Sequence, residues 1–567
     1  MNAPQEAIDF TSKIFLVVDD FGDMHTLLRQ TLKSCGADTK LIDSASTAAE
    51  AVRLLEKKKY DVVLCDYNLG AGKTGQNVLE EAKYRQLIGP ACAWLMITAE
   101  KTNEIFMGTA EAQPDDYLLK PITAGALRLR LAKIWNRKKA FIEIAAAVAS
   151  YDYTGAIKLC DQRLEFDQAN AVDLLRLKAR LQMDSGNTDG ARRTFEKVML
   201  ERNLPWAKVG IAKVKFQEGD IAGAKSLLED VVAAKPYYLE AYDWLTRVCQ
   251  ALGKHGEAEL VLEKATALSP NSVARQKTLG DVSFNLGKLD IAEKAFKKSV
   301  GLGEHSILKT PDAYTGLAKT CSAKGNTGEA LRVLDTLDKN FDDAAAHLKS
   351  LIAKGMVHQR SGDPVKAREV ARELSGRMKN LPQRLESKAN LEMAQLFLDI
   401  GEKETAVGLL QEEVKNNPEN AEILEQVQQI FVVAQMGEHG TALIESTRKS
   451  AIEQMNHGVL LAHDGRIEDA IIWMRNAREA MPTNARVLFN LAYVLIAQLK
   501  KTKKDMKMFS EARDALIEAN RLAPGEKRFT QLMESLKDIE GDPKFAKGDE
   551  SRKPVEQPLE PQMNMPT

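Results

Sequence analysis

YDVVLCDYNLG, residues 60–70, decides the fold. Val62 to Cys65 is an uninterrupted apolar run that stops at a carboxylate, Asp66, and a loop follows from Asn68 to Gly72. An apolar run of this length, β-branched at its start and closed by turn residues, predicts a strand buried on both faces.

The flanking sequence repeats the theme. Ile14–Val18 (IFLVV) is a second such run and ends in Asp19 and Asp20. An amphipathic helix from about Met24 to Cys35 follows, then a weaker strand at Lys40–Asp43 and a helix at Thr47–Lys57. Beyond residue 70, Ala93–Ile97 (AWLMI) ends at Thr98, and Tyr117–Leu119 ends at Lys120 and Pro121. Alternating strands and helices imply a parallel sheet covered on both faces, where ligands bind at the carboxyl ends of the strands. Asp19, Asp20, Asp66, Thr98 and Lys120 all fall at such ends. Two carboxylates about 4 Å apart repel by roughly 4 kcal/mol at an effective dielectric of 20, so three converging ones call for a cation. An all-oxygen site without His or Cys suits Mg²⁺. With charge drawn off in this way, Asp66 can attack phosphorus in line while Lys120 and Thr98 hold the equatorial oxygens.

FLVVDDF (15–21), CDYN (65–68), TAE (98–100) and DYLLKP (116–121) stand in the order found in response-regulator receiver domains. Residues 13–137 resemble that family, and most closely its chemotaxis single-domain type. The resemblance implies a flavodoxin-like α/β fold with five parallel strands in the order 2-1-3-4-5. It also implies that Asp66 takes phosphate from a sensor histidine kinase or phosphotransfer protein. Asp20, Asp66 and the Asn68 carbonyl would ligate Mg²⁺, with Asp19 acting through water. Thr98 and Tyr117 would form a switch pair, and Lys120–Pro121 a cis peptide. No catalysis is implied beyond Mg²⁺-dependent self-phosphorylation and self-dephosphorylation. Asn68 and Glu100 match the chemotaxis type at two positions beside the phosphate, from which a short-lived phosphoryl group is expected. One departure is Gly70, where the family usually has proline, in a loop to Gly75 (GAGKTG) one residue longer than usual.

At 567 residues the chain exceeds what one core organises. Its 79 Lys and Arg against 80 Asp and Glu leave a net charge of -1, with no general attraction to nucleic acid or anionic membrane. Six dispersed cysteines form no C-x-x-C pair, which argues against a disulfide framework or a zinc site. The first residues lack a basic and apolar leader, and no run of about 18 apolar residues occurs, so a cytoplasmic location is expected.

Past Arg137 the strands stop and a helical period of about 34 residues begins. An alanine marks each unit: Ala156, Ala191, Ala224, Ala258, Ala292, Ala330, Ala367, Ala406, Ala470 and Ala512. Glycine stands five positions earlier in most units, a bulky apolar residue four later, and proline twelve later in several. Glycine turns the chain between antiparallel helices, alanine lets them approach, the bulky residue fills the groove, and proline closes the unit. This is similar to the tetratricopeptide (TPR) pattern and predicts an all-α solenoid of about ten or eleven repeats over 138–540, with Glu419–Lys449 as a degenerate unit. Glu526–Glu540 reads as a solubilising cap, residues 1–12 as an N-terminal tail, and 541–567 as a disordered tail. By the same resemblance Lys213, Phe216, Arg247, Asp281, Phe284 and Asn285 point into the concave face, where a protein or peptide partner would bind. The lysines of KKTKKDMK (500–507) read as a solvated helix extension.

From Ala126 to Thr154 there is neither glycine nor proline, so the last receiver helix is expected to run directly, or with a slight kink, into the first repeat. The sequence therefore predicts a phosphorelay response regulator with a protein-binding output. Phosphorylation at Asp66 would gate exposure of the array, its dimerisation, or its grip on a partner. The alternative is a constitutive scaffold whose receiver only docks to a kinase. A phosphohydrolase is disfavoured because Asn68 stands where a second carboxylate is needed, and a transcription factor because no basic recognition helix follows the receiver.

Overall fold

The computed structural model describes residues 9–70, 72–89, 91–99, 114–378, 385–502 and 505–541. Glu100, Lys503, Lys504 and the tail beyond Gly541 lie outside them, as does part of the loop after Asp66.

Five parallel strands, β1 (Phe15–Val18), β2 (Ile42–Ala45), β3 (Val62–Asp66), β4 (Ala93–Thr98) and β5 (Asp116–Leu119), lie in the order β2-β1-β3-β4-β5. Alternate residues of the central strands feed two cores. Phe15, Val17, Val62, Leu64 and Ile97 meet helices Gly22–Ser34 and Ala124–Ala149, whereas Leu16, Val18, Val63, Cys65 and Met96 meet helices Ala48–Lys57 and Gly75–Tyr84. That two-sided burial is why these runs are continuously apolar. Strand β2 begins two residues later than the apolar pattern predicts. The Asp38 side chain accepts from the Lys40 N–H and curls Thr39–Leu41 into a 3-10 turn, taking Lys40 and Leu41 out of the strand. Phe10, assigned by sequence to the tail, is buried between Phe15 and Trp135.

Helix Ala124–Ala149 belongs to both halves of the molecule. Leu127, Leu131 and Ile134 complete the receiver core, and Ile144 packs with Ala156 and Cys160 of the first repeat and Leu174 of the second. The last receiver helix thus runs directly into the first repeat and ends at Ala149. Tyr151 adopts a left-handed φ of 57° and turns the chain into helix Tyr153–Leu164, which Asp152 caps through the Gly155 N–H. A bulky residue rarely takes that conformation, so the elbow left no glycine or proline to be read.

Antiparallel helix pairs then repeat to Leu522. All ten marker alanines are fully buried. The preceding glycines, Gly186, Gly219, Gly253, Gly287, Gly325, Gly362, Gly401 and Gly465, all have positive φ, as an αL helix end requires. The glycine-less first unit fills this position with Tyr151, and the degenerate unit with Gln435 at φ 58°. Close approach explains the small residues: a Cβ on Gly280 or Gly316 would lie 2.7 or 2.5 Å from the Phe296 ring, which is held between them. The degenerate unit pairs Ala421–Val433 with the start of Gly437–His463, a single helix continuing into the next unit.

The array also touches the receiver away from the shared helix. Ser306, in the stretch where the repeat spacing lengthens, donates to Glu80 Oε2 at 3.3 Å on helix Gly75–Tyr84. Among the described residues, no helix is long and apolar enough to cross a membrane.

Candidate functional site

Strand register brings the predicted site together at one edge of the sheet. Val18 pairs with Cys65 and Asp66 with Ile97, so Asp19, Asp66 and Thr98 leave β1, β3 and β4 side by side. Asp19 is fully buried, and Asp66 and Thr98 nearly so. Lys120 follows β5, its amide donating to the Thr98 carbonyl at 2.9 Å, and the Lys120–Pro121 peptide is cis. Its ammonium donates to Asp66 Oδ1 at 2.8 Å and Asp19 Oδ2 at 3.1 Å. The Asn68 N–H donates to Asp66 Oδ2 at 3.1 Å, and the Phe21 N–H to Asp19 Oδ1 at 3.0 Å.

The electrostatics follow from this geometry. Burial pushes the Asp66 carboxyl above its ordinary pKa; Lys120 opposes the shift and Asp19 adds to it. Burial works against the Lys120 charge, but its bonds to Asp66 and Asp19 hold its pKa above the usual value. Buried carboxylates tolerate one another only with such a cation between them.

The three acidic side chains do not converge as a ligand set; among the described residues no group of three His, Cys, Asp or Glu side chains does so. Both oxygens of Asp19 already accept hydrogen bonds, and Lys120 bridges Asp19 to Asp66. Asp20 differs, because its buried Oδ1 has no hydrogen-bond partner among the described residues. A buried oxygen without a partner is costly unless a cation satisfies it. Asp20 and Asp66 with a backbone carbonyl form the sparse oxygen set that suits a hydrated Mg²⁺, so the residues present fit that ion.

The loop after Asp66 owes its path to glycine. Gly70 has φ 77°, which proline cannot adopt, so this loop has a shape of its own. A Cβ on Gly70 would also stand 3.5 Å from Asp20 Oδ2. Gly75 was missed by sequence reasoning. A Cβ there would lie 2.0 Å from the Asp66 carbonyl oxygen and 2.9 Å from Cys65 Sγ, so helix Gly75–Tyr84 can start against β3 only with glycine. His25 was missed too, with Nε2 2.6 Å from the Asp19 carbonyl oxygen. The Tyr117 ring is half-buried against the core face containing Trp94 and Met96.

The six array residues separate into two places. Lys213, Phe216 and Arg247 surround Trp244: Phe216 meets it edge-on at 6.0 Å, and the two cations sit 5.0 and 5.1 Å from its ring. Lys213 also pairs with Glu240 at 2.7 Å. Asp281 pairs with Lys277 at 2.9 Å and with Lys388 at 3.6 Å, a residue several units away. Phe284 packs against the Phe296 cluster, and Asn285 is exposed. Trp244 itself was not singled out, because a first-helix aromatic reads equally well as core.

The response regulator receiver domain family matches residues 15–132, and tetratricopeptide repeat families match 215–280 and 348–373. Chemotaxis protein CheY-3 of Vibrio cholerae is 31% identical over 132 residues, covering 23% of this chain and 98% of that protein. Chemotaxis protein CheY of Pseudomonas aeruginosa is 29% identical over 123 residues, covering 22% and 95%. The solved structure of chemotaxis response regulator CheY4 of Vibrio cholerae is 22% identical, covers 22% of this chain and 98% of that one, and has a TM-score of 0.20. The chain therefore belongs to the response regulator receiver family, its receiver domain being joined to an array of tetratricopeptide repeats.

Proposed function

We propose that this response regulator works in a cytoplasmic phosphorelay in which Asp66 accepts a phosphoryl group from a histidine kinase or phosphotransfer protein. The observation that carries this reading is the Asp66 carboxylate at the end of β3, held by Lys120 and bordered by an Asp20 oxygen without a partner among the described residues. An Asp66 oxygen attacks phosphorus, the bond from phosphorus to the donor nitrogen breaks, and an acyl phosphate forms. Lys120 is already within reach of both carboxylates and turns its ammonium to a phosphoryl oxygen, while the Thr98 hydroxyl takes another. Mg²⁺ held by Asp20, Asp66 and the Asn68 carbonyl would supply charge neutralisation at the phosphoryl group. Self-dephosphorylation would return the protein to its starting state.

The output in this reading is protein binding by the array, with the Trp244 cluster of Lys213, Phe216 and Arg247 as the part of the groove open to a peptide. Asp281 is engaged with two lysines and contributes to the groove wall instead. The Thr98 and Tyr117 switch would reach the array through helix Ala124–Ala149 and through the Glu80–Ser306 contact. Dimerisation is a further route for the output.

Phosphate-affinity electrophoresis of the full chain with acetyl phosphate and Mg²⁺ tests the acceptor. A retarded band is expected, absent in Asp66→Asn and absent with chelator. A band that persists in Asp66→Asn would place the phosphate elsewhere. Proteins captured with and without phosphodonor test the output; an identical set in both, and in Asp66→Asn, would favour the constitutive scaffold.

A further inference from the structure

The two ends of the repeat array meet. Helix Lys527–Glu540 buries Phe529, Met533, Leu536 and Ile539 in the core of the last unit, as a capping helix should. It is not merely a solubilising cap, because it also reaches the first two units. The Phe529 ring lies edge-on to Tyr151 at 5.8 Å and tilted to Tyr153 at 6.1 Å. Lys537 Nζ pairs with Asp152 Oδ2 at 3.1 Å, and the Thr530 hydroxyl donates to the Ser185 carbonyl at 3.2 Å, across 345 positions of sequence. The backbones approach as well: a Cβ on Gly186 would stand 2.5 Å from the Lys527 nitrogen and 2.6 Å from the Gly525 oxygen.

Nothing in a repeat pattern requires this. Each unit of a solenoid packs on its neighbours, and a terminal helix needs only a polar outer face. The seam also differs in kind from the junctions between units. Those bury alanines and bulky residues continuously, as Phe296 does between Gly280 and Gly316. Among the described residues, and apart from Phe529, the elbow tyrosines and the close approach at Gly186, the seam is held by one hydroxyl bond and an ion pair whose side chains are 32% and 34% exposed. Exposed pairs of this sort contribute little, so the ring is weakest here. The seam also sits at the elbow Ser150–Asp152, directly after helix Ala124–Ala149, which the receiver shares.

We propose that helix Lys527–Glu540 is a reversible latch that closes the repeat array into a ring. Closing turns the concave face inward, and opening at the seam widens it without unfolding any repeat.

The test uses the full chain carrying Asp152→Cys and Lys537→Cys. All six native cysteines are buried, so the introduced thiols are the reactive ones. A short bismaleimide at low protein concentration is expected to join them within one chain. Failure to join, while each thiol reacts with a simple maleimide, would overturn the closure. Joining mainly between chains would also overturn it, by assigning the contact to a second copy. Hydrogen exchange then reads reversibility, before and after joining. Amides of Met183–Asn187 and Phe529–Glu540 are expected to slow at least tenfold once the latch is covalent, with those of Leu239–Leu268 unchanged. Equal rates at the seam before and after joining would mean a permanent contact and would overturn the latch. In the parent chain, Phe529→Leu is expected to speed exchange at Tyr151–Ala156, where it meets Tyr151 and Tyr153 across the seam; no change there would equally count against it.

Discussion

Replacing Lys120 with methionine removes the cation that bridges two buried carboxylates. Asp66 Oδ1 and Asp19 Oδ2 lose partners at 2.8 and 3.1 Å, in side chains that are 9% and 0% exposed. Removing one partner of a buried ion pair costs about 3–5 kcal/mol, because the remaining charge has lost its compensation. The Lys120 side chain is 23% exposed, which places this case near the lower end, at about 3 kcal/mol. At about 1.4 kcal/mol per factor of ten, protected amides of the receiver sheet should exchange roughly 100-fold faster. Hydrogen exchange by mass spectrometry over Val62–Asp66 and Ala93–Thr98, in chelator at pH 7, measures this directly, with helix Gly437–His463 as an internal reference. Millimolar Mg²⁺ should restore much of the protection, because the same carboxylates and the partnerless Asp20 oxygen then gain a cation. Lower pH should restore part as well, since burial already favours the protonated form of Asp66. Unchanged protection in chelator, or protection indifferent to Mg²⁺, would refute the view that charge compensation holds this site together.

Gly75→Ala should destabilise the receiver by about 3 kcal/mol or more, the upper end for overpacking, since its Cβ would collide with the Asp66 carbonyl. Gly408→Ala, inside helix Lys403–Asn416 with nothing within 4 Å, should instead stabilise the array by about 0.5–1 kcal/mol; urea titration of both variants reads the contrast. Arg275→Met should cost the array about 3–5 kcal/mol, because Asp243 then loses two bonds at 2.6 and 2.8 Å between nearly buried side chains. Its urea transition should move to lower concentration, and a variant that kept the parental midpoint would contradict this. Asp43 gives a pH dependence: burial raises its carboxyl, but Lys58 and the Tyr60 hydroxyl outweigh that and hold it below the ordinary value of 3.8. Its contribution is therefore complete above about pH 4 and is lost as the pH falls through the lowered value. Tyr60→Phe should cost about 1 kcal/mol at pH 7 and progressively less on acidification, followed by hydrogen exchange over Val62–Asp66.

Much of this molecule is written locally. Strand runs ending in Asp19, Asp20, Asp66, Thr98 and Lys120 are legible because a parallel sheet buries both faces and keeps its chemistry at the carboxyl ends. The repeats are legible because a left-handed turn and a close helix approach each admit few residues. By itself the sequence thus determined the receiver fold with its acidic edge, the helical array, and the shared helix as far as Ala149. The tertiary structure decided what depends on residues far apart in the chain. Lys120 bridges Asp19 to Asp66, Gly75 matters because the Asp66 carbonyl occupies the space of its side chain, and Tyr151 takes a glycine's conformation where Phe529 packs against it. The meeting of helix Lys527–Glu540 with the first two repeats belongs to this second group. Each repeat specifies only its contact with its neighbours, and whether the ends meet depends on the small rotations accumulated over the whole array.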